Sequence, residues 1–303
     1  ASIGSIYCRP MPTPGAPRDV DPTALKHRLR VAYRAPQPPW LHAEVARRMA
    51  ERLPLIRIAP TRVLDWHARQ SGSRELLRTA YPQAELTALD PWPPAAVPSR
   101  RWWALPPKEP VPITPQQLSP GQADLLWANM VLHQLADPLA LFKQWHRTVA
   151  VGGFLMFSTL GPGTLVELTA LYRQRGWPSP HAPFVDMHDL GDMLLEAGFA
   201  DPVMDQETVR LTWPDGQALL TELRSLGGNT SLRRPAGLNT PRWRETLLTA
   251  LADLAGADGR PGLSFEIVHG HAFRTAPRVR LAAETTLPLE DLRSMARAGR
   301  RPR

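Results

Sequence analysis

The sequence predicts an α/β protein with a mostly parallel central sheet and helices on both of its faces. Two observations carry this. Short apolar runs at Val63–Asp65, Glu85–Asp90, Asp124–Asn129 and Phe154–Leu160 read as strands. Between and after them, apolar residues recur three and four apart, the period of a helix with one buried face. Strands that alternate with helices pair in parallel, because each crossover returns the chain to the same end of the sheet. The 303 residues, 43% of them hydrophobic, suffice for a substantial core.

The elements follow in order. Prolines at 10, 12, 14, 17 and 22 mark the N-terminal segment, and residues 1–30 are expected to be disordered. Leu41, Val45, Met49 and Leu53 share one face of a helix that Pro54 and Pro60 close. A strand at Val63–Asp65, a helix from about Arg74 to Ala80 and a strand at Glu85–Asp90 come next. Ten prolines between positions 91 and 120 then exclude the helix a regular unit would place there, leaving Trp92, Trp102 and Trp103 to pin an extended loop. Asp124–Asn129 has the apolar pattern of a buried strand. Asp137-Pro138 starts a helix that runs to about Val149, with Gly152-Gly153 as its stop. Phe154–Leu160 is apolar on both faces and so central in the sheet. Gly161-Pro162-Gly163 turns the chain, and Thr164-Leu165-Val166-Glu167 has the spacing of a capping box. A helix starting near Phe184–Leu190 buries Leu190, Met193, Leu194 and Ala197 and stops at Gly198. Val203–Trp213 alternates as a strand, Asp215–Leu226 reads as a helix, Thr240-Pro241 caps a helix through Leu254, and Leu263–Phe273 is a late strand. No internal repeat is visible.

Charge and composition exclude several classes. No run approaches eighteen apolar residues, so no membrane-spanning helix is expected. The first 22 residues lack the apolar segment of a secretory signal, and a cytoplasmic location is the expectation. Cys8 is the single cysteine, which excludes an intramolecular disulfide and a cysteine-based zinc site. Of the net charge of +8, half lies after Thr275, where seven arginines face three acids. Residues 275–303 are expected to be a flexible, solvated tail; an acidic protein partner is a second reading, and nucleic acid ranks behind it. His269 and His271 alternate on one strand face, but no third ligand accompanies them, so no metal is expected.

The candidate site centres on residues 62–73. There an apolar run ends in Asp65 and breaks into the loop Trp66-His67-Ala68-Arg69-Gln70-Ser71-Gly72 before the next helix. In an open α/β sheet such a strand-to-helix turn holds a cofactor. The second strand also ends in an acid, Asp90, whose carboxylate suits the hydroxyls of a ribose.

In context, Val63-Leu64-Asp65, Ala88-Leu89-Asp90, Asp124–Asn129 and Gly152-Gly153 through Thr164 resemble a class I S-adenosyl-L-methionine-dependent methyltransferase. More narrowly, Ser158–Leu165, Pro180-His181, Phe184–Asp192, Ala197-Gly198-Phe199, Leu226–Asn229, Gly237-Leu238 and Phe265–Arg274 resemble the malonyl-acyl-carrier-protein O-methyltransferase of biotin synthesis. The resemblance spans roughly Leu41 to Arg274. It implies a Rossmann-like methyltransferase domain over residues 31–274, with a helical substrate-side insertion within about 164–260. It also implies S-adenosyl-L-methionine as cofactor and acyl carrier protein, or another acidic protein, as partner. The cofactor candidates are Asp65, His67, Asp90 and Asn129. For the substrate they are His133, beside the cleft, and Arg233 and Arg234, because arginine pairs bidentately with a carboxylate. Tyr33 takes the place of a cleft tyrosine, offset from the family's spacing.

The pattern also departs from the family. His67, Arg69 and Ser71 stand where its first motif has glycines, Gln134 where it has tryptophan, and its next acid falls near Pro112. His67 and Arg69 suggest either a new anion site at a helix N-terminus or solvent-facing replacements. Methyl transfer to a free carboxylate is therefore the first functional reading. A non-catalytic descendant that serves as a protein-binding scaffold is the alternative.

Overall fold

The computed structural model describes residues 18–35, 37–91, 112–235, 240–276 and 290. The proline-dense segment at 92–111, with its three tryptophans, and nearly all of the arginine-rich tail lie outside the described residues.

Six strands form one sheet: β1 (Arg62–Trp66), β2 (Glu85–Leu89), β3 (Ala123–Ala128), β4 (Val149–Leu160), β5 (Ala200–Thr212) and β6 (Gly262–Phe273), in the order β2-β1-β3-β4-β6-β5. The first four pair in parallel. β6 runs antiparallel to both β4 and β5. The mostly parallel α/β sheet expected from the sequence is therefore present, with an antiparallel pair at one side.

Period-two burial explains why these strands read as apolar runs. Leu64, Leu126, Leu155 and Phe157 point into one core with Phe142 and Trp145 of α5 (Pro138–Thr148) and Leu190 and Leu194 of α7 (Met187–Glu196). Their neighbours Val63, Leu125, Trp127, Phe154 and Met156 point into a second core with Met49 of α2 (Trp40–Ala50) and Leu77 of α4 (Arg74–Ala80). β1, β3 and the second half of β4 are buried on both faces, as a parallel sheet between helices requires. A third core joins the far ends of β5 and β6 to α6 (Val166–Gln174), α8 (Gly216–Ser225) and α9 (Pro241–Ala252). Those three helices lie in the expected substrate-side insertion and form a cap over one end of the sheet.

Three local expectations change. The first is disorder up to residue 30. α1 (Pro22–Ala32) is a helix, capped by Asp21, which accepts from the amides of Thr23 and Ala24 at 2.8 and 3.1 Å. Val20 forms a β-bridge with Ser231, and Arg234 pairs with Asp21 at 2.6 Å, so tertiary contacts order a segment whose composition reads as disordered.

The second is the capping box at Thr164. The N-cap of α6 is Leu165, in the left-handed region at φ 58°. Thr164 Oγ1 instead donates to the Glu266 carbonyl at 3.1 Å and accepts from the Glu266 amide at 3.0 Å. Glu167 accepts from the amide and hydroxyl of Ser264 at 3.0 and 2.6 Å. The spacing serves to clamp α6 to β6, and strand partners displace the local cap. Glu266 also explains the adjacent turn. Its carboxylate accepts from the Gly163 amide at 3.0 Å, and a Cβ on Gly161 or Gly163 would fall 2.1 or 2.3 Å from its oxygens.

The third is the stretch after residue 91, expected to be a loop, near whose end Pro112 stands where the family's next acid falls. On the side of β2 away from β1, Ile113 is among the described residues the one that forms a bridge, donating to the Ala88 carbonyl at 2.8 Å and accepting from the Asp90 amide at 2.9 Å. Pro112 and Pro115 flank it and have no backbone donor to extend the ladder.

Candidate active site

The sheet order reverses at β1, which lies between β2 and β3. In open α/β sheets ligands bind beyond the carboxyl ends of strands at such a point. A cavity of about 530 Å³ opens there, and His67, Gln70, Asn129 and Met130 are among its lining residues. Its volume is in the range of small-molecule and cofactor sites.

The loop after β1 keeps the backbone of a glycine turn without most of the glycines. His67 stands at φ 58°, ψ 45°, the left-handed region that glycine reaches without strain, and it starts the single turn α3 (Ala68–Ser71). Gly72 closes that turn at φ 67°, where a Cβ would sit 3.0 Å from Ala43 Cα. The imidazole of His67 stacks on Trp66, centroids 6.4 Å apart, and meets Tyr33 edge-on at 5.7 Å. Burial and the nearby His42 push its pKa down to about 3, so it is neutral. It is neither a solvent-facing replacement nor, being neutral on a one-turn helix, a charged anion site. Arg69 extends to solvent.

The two acids lie behind this loop. Asp65 is 1% exposed and accepts from Ser71 Oγ at 3.1 Å. Burial raises its pKa to about 7. Asp90 is 0% exposed and accepts from the Arg69 amide at 3.3 Å. Burial raises its pKa to about 6, against the Arg69 amide and charge and a hydrogen bond from Tyr33. Neither acid is among the described residues lining the cavity. Tyr33 does not line it either, because its hydroxyl faces Asp90 from within the core.

Asn129 and His42 tie the loop to its surroundings. The Asn129 amide donates to the carbonyls of His42 and Ser71 at 2.8 and 2.6 Å, and its oxygen accepts from Ser158 Oγ at 2.6 Å. Asn129 thus borders the cavity with its side chain fully engaged. His42, on α2, pairs through Nδ1 with the Gln70 carbonyl at 2.8 Å. Gln70 in turn donates to the Ala32 carbonyl of α1 at 2.9 Å. The loop is held by α1, α2 and β3, which offsets what left-handed backbone at His67 costs.

His133 sits where expected, beside Asn129 in the cavity wall. Burial holds its pKa well below the usual histidine value, with lesser contributions from His42 and Arg18. Arg233 and Arg234 require a correction, for neither lines this cavity. Arg233 pairs with Asp19 at 2.8 Å and Arg234 with Asp21 at 2.6 Å, so both anchor the segment leading into α1. Arg234 borders a second hollow that adjoins the first at Arg28, Tyr172 and Trp243. The cations at the cavity are Arg28 of α1, Arg224 of α8 and Arg244 of α9. Sequence reasoning missed them, and His42 too, because α1 falls in a segment that composition marks as disordered and His42 sits on an ordinary amphipathic helix. His181 and Phe184, stacked with centroids 4.7 Å apart, bring the Pro180–Asp186 motif to the cavity.

His269 is bound to Glu207 at 3.0 Å, and no group of three metal-ligating side chains occurs among the described residues. No helix is long and apolar enough to cross a membrane among the described residues.

Comparison with known proteins gives a consistent family. A methyltransferase domain family matches residues 40–201. Malonyl-[acyl-carrier protein] O-methyltransferase of Laribacter hongkongensis is 38% identical over 253 residues, covering 79% of this chain and 84% of that protein. The enzyme of the same name from Gallionella capsiferriformans is 37% identical over 251 residues, 79% and 86% of the two chains. Malonyl-[acyl-carrier protein] O-methyltransferase 1 of Coxiella burnetii is 31% identical over 286 residues, 90% and 96% of the two chains. Among solved structures, the YcgJ protein of Bacillus subtilis has a TM-score of 0.49 at 11% identity, covering 77% of this chain and 99% of that one. The chain belongs to the malonyl-[acyl-carrier protein] O-methyltransferase family and carries its Rossmann-like methyltransferase domain.

Proposed function

We propose that this protein transfers a methyl group from S-adenosyl-L-methionine to the free carboxylate of a malonyl group carried on acyl carrier protein, in the cytoplasm, as a step toward biotin. The observation that carries the reading is the left-handed turn at His67 and Gly72 beside a cavity at the switch point of the sheet. The family's glycines are replaced but left-handed backbone remains at His67 and Gly72, and the residues present suit a polar nucleoside ligand. His67, Gln70 and Met130 would hold it, with Asn129 fixing the loop. When bound, S-adenosyl-L-methionine supplies an electrophilic methyl group on a sulfonium.

The chemistry asks little of the side chains. A malonyl carboxylate has a reference pKa near ~4 and is ionised at neutral pH, so no general base is required. Arg28 of α1 and Arg224 and Arg244 of the cap helices α8 and α9 offer positive charge to an anionic group. Leu29, Leu168 and Trp243 are among the apolar residues lining the chamber and exclude water around the reacting atoms. Alignment and desolvation then account for catalysis.

The burial of Asp65 and Asp90 outside the cavity favours a second reading, a scaffold that keeps the fold and the carrier surface without binding cofactor. Titrating S-adenosyl-L-methionine during thermal unfolding separates the two. The first reading expects stabilisation of about 2.7 kcal/mol at a hundred times the dissociation constant. No shift at millimolar cofactor and no calorimetric heat leave the scaffold.

A further inference from the structure

The proposed mechanism leaves polar atoms of two histidines in the cavity wall unused. His42 is 2% exposed and lines the cavity. Its Nδ1 lies 2.8 Å from the Gln70 carbonyl, an acceptor only, so Nδ1 carries the proton and donates. The other nitrogen, Nε2, is therefore an acceptor, and it is buried with no hydrogen-bond partner. His133 stands beside it with ring centroids 6.4 Å apart, and both of its nitrogens are buried without a partner. Three unpartnered nitrogens on neighbouring rings of one cavity mark a place where a ligand supplies the missing bonds, since a buried polar group left unpaired costs about 1–3 kcal/mol.

Resting on the function proposed above, we propose that His42 is a specificity-determining residue whose Nε2 accepts a hydrogen bond from an N–H of the ligand. The tautomer decides the direction: a carboxylate or phosphate oxygen, itself an acceptor, finds nothing to bond at Nε2. Protonation does not rescue such a ligand at neutral pH, because burial pushes the His42 pKa down to about 4. Three parts of the reacting system carry a suitable N–H: the ammonium of the cofactor's amino-acid portion, the amino group of its adenine, and an amide of the pantetheine arm that bears the malonyl group.

Two substitutions separate the two nitrogens of the ring. Asparagine places an amide N–H near the position of Nδ1 but reaches no further, so His42→Asn keeps the bond to Gln70 and removes the acceptor. Glutamine reaches the position of Nε2, so His42→Gln keeps an acceptor there. The experiment measures calorimetric binding of S-adenosylhomocysteine, 5′-methylthioadenosine (which lacks the amino-acid portion) and pantetheine, with thermal unfolding to confirm folded variants. The expected result is that His42→Asn loses about tenfold or more in affinity for at least one of the probes, whereas His42→Gln retains most of it. A loss confined to S-adenosylhomocysteine, with 5′-methylthioadenosine unchanged, identifies the ammonium as donor, and a loss confined to pantetheine identifies the amide. Equal losses for S-adenosylhomocysteine and 5′-methylthioadenosine identify the adenine amino group, whereas unchanged affinities in His42→Asn or equal weakening in His42→Gln overturn the assignment. Failure of the unsubstituted protein to bind any of the three overturns the proposed function and this inference with it, an outcome distinct from those seen only in the variants.

Discussion

Replacing Asp65 with asparagine tests the electrostatics behind the cofactor loop. In the folded chain burial raises the pKa of this carboxyl from 3.8 to about 7. The unfolded chain therefore releases the Asp65 proton first as pH rises. Between the two values the native state binds more protons, and the group's contribution to stability falls with rising pH. Linkage with these values gives a loss of about 2 kcal/mol between pH 5 and pH 7. The buried histidines act in the opposite sense. His42 and His67, with pKa values pushed down to about 4 and 3, destabilise the fold as pH falls below the usual histidine value. The stability of the native protein alone therefore mixes both effects, and the difference between D65N and the native protein isolates Asp65. Asparagine still accepts from Ser71 and carries no charge. Urea unfolding at pH 5, 6 and 7 and constant ionic strength, without ligand, should show D65N gaining about 2 kcal/mol relative to the native protein across that range. A constant or shrinking difference refutes a raised Asp65 pKa.

Three further substitutions probe other parts of the argument. His67→Gly relieves left-handed backbone worth about 1–2 kcal/mol and removes ring contacts of similar size, so stability should change by less than about 1 kcal/mol while calorimetry detects weaker S-adenosylhomocysteine binding, because the imidazole is lost from the cavity wall. Gly163→Ala drives a Cβ to 2.3 Å from Glu266 Oε2 and should lower stability in thermal unfolding, by about 1–3 kcal/mol. Arg18 donates to the carbonyls of Pro183, His133 and Leu135 at 2.9, 2.8 and 2.9 Å, and burial lowers its pKa to about 10. Arg18→Met leaves those carbonyls unpaired and should cost about 2 kcal/mol in urea unfolding.

Strand periodicity made the sheet legible in the sequence. Val63, Leu125 and Phe154 face one core and Leu64, Leu126 and Leu155 the other, and that two-sided burial is what unbroken apolar runs encode. The position of the site was legible as well, because a strand-to-helix turn at a switch point follows from strand order. What sequence could not convey was which side chains reach the cavity. Asp65 and Asp90 end the proper strands, yet Ser71, the Arg69 amide and Tyr33 engage them from the loop and α1. Arg233 and Arg234 have the chemistry of a carboxylate grip but find nearer partners in Asp19 and Asp21, more than two hundred positions away. The Thr164–Glu167 spacing matches a local cap, and β6 claims both side chains because it lies alongside. For the two arginines and for Thr164 and Glu167, a long-range partner decides between roles that short-range pattern leaves equal.

The single bridge at Ile113 also bears on how the chain avoids its own kind. β2 is the outermost strand of the parallel half, and an open strand edge is a template for pairing with another chain. Over residues 88–90, Ile113 occupies that edge; Pro112 on one side of it has no donor, and the Thr114 amide on the other is taken by Gln117 Oε1 at 2.7 Å, so neither is open to a foreign strand. Toward its start β2 is only five residues long and begins at the exposed, charged Glu85. A prolyl flank and a short charged strand thus take over the protective task that a longer third strand would otherwise perform, and they favour solubility while the chain folds.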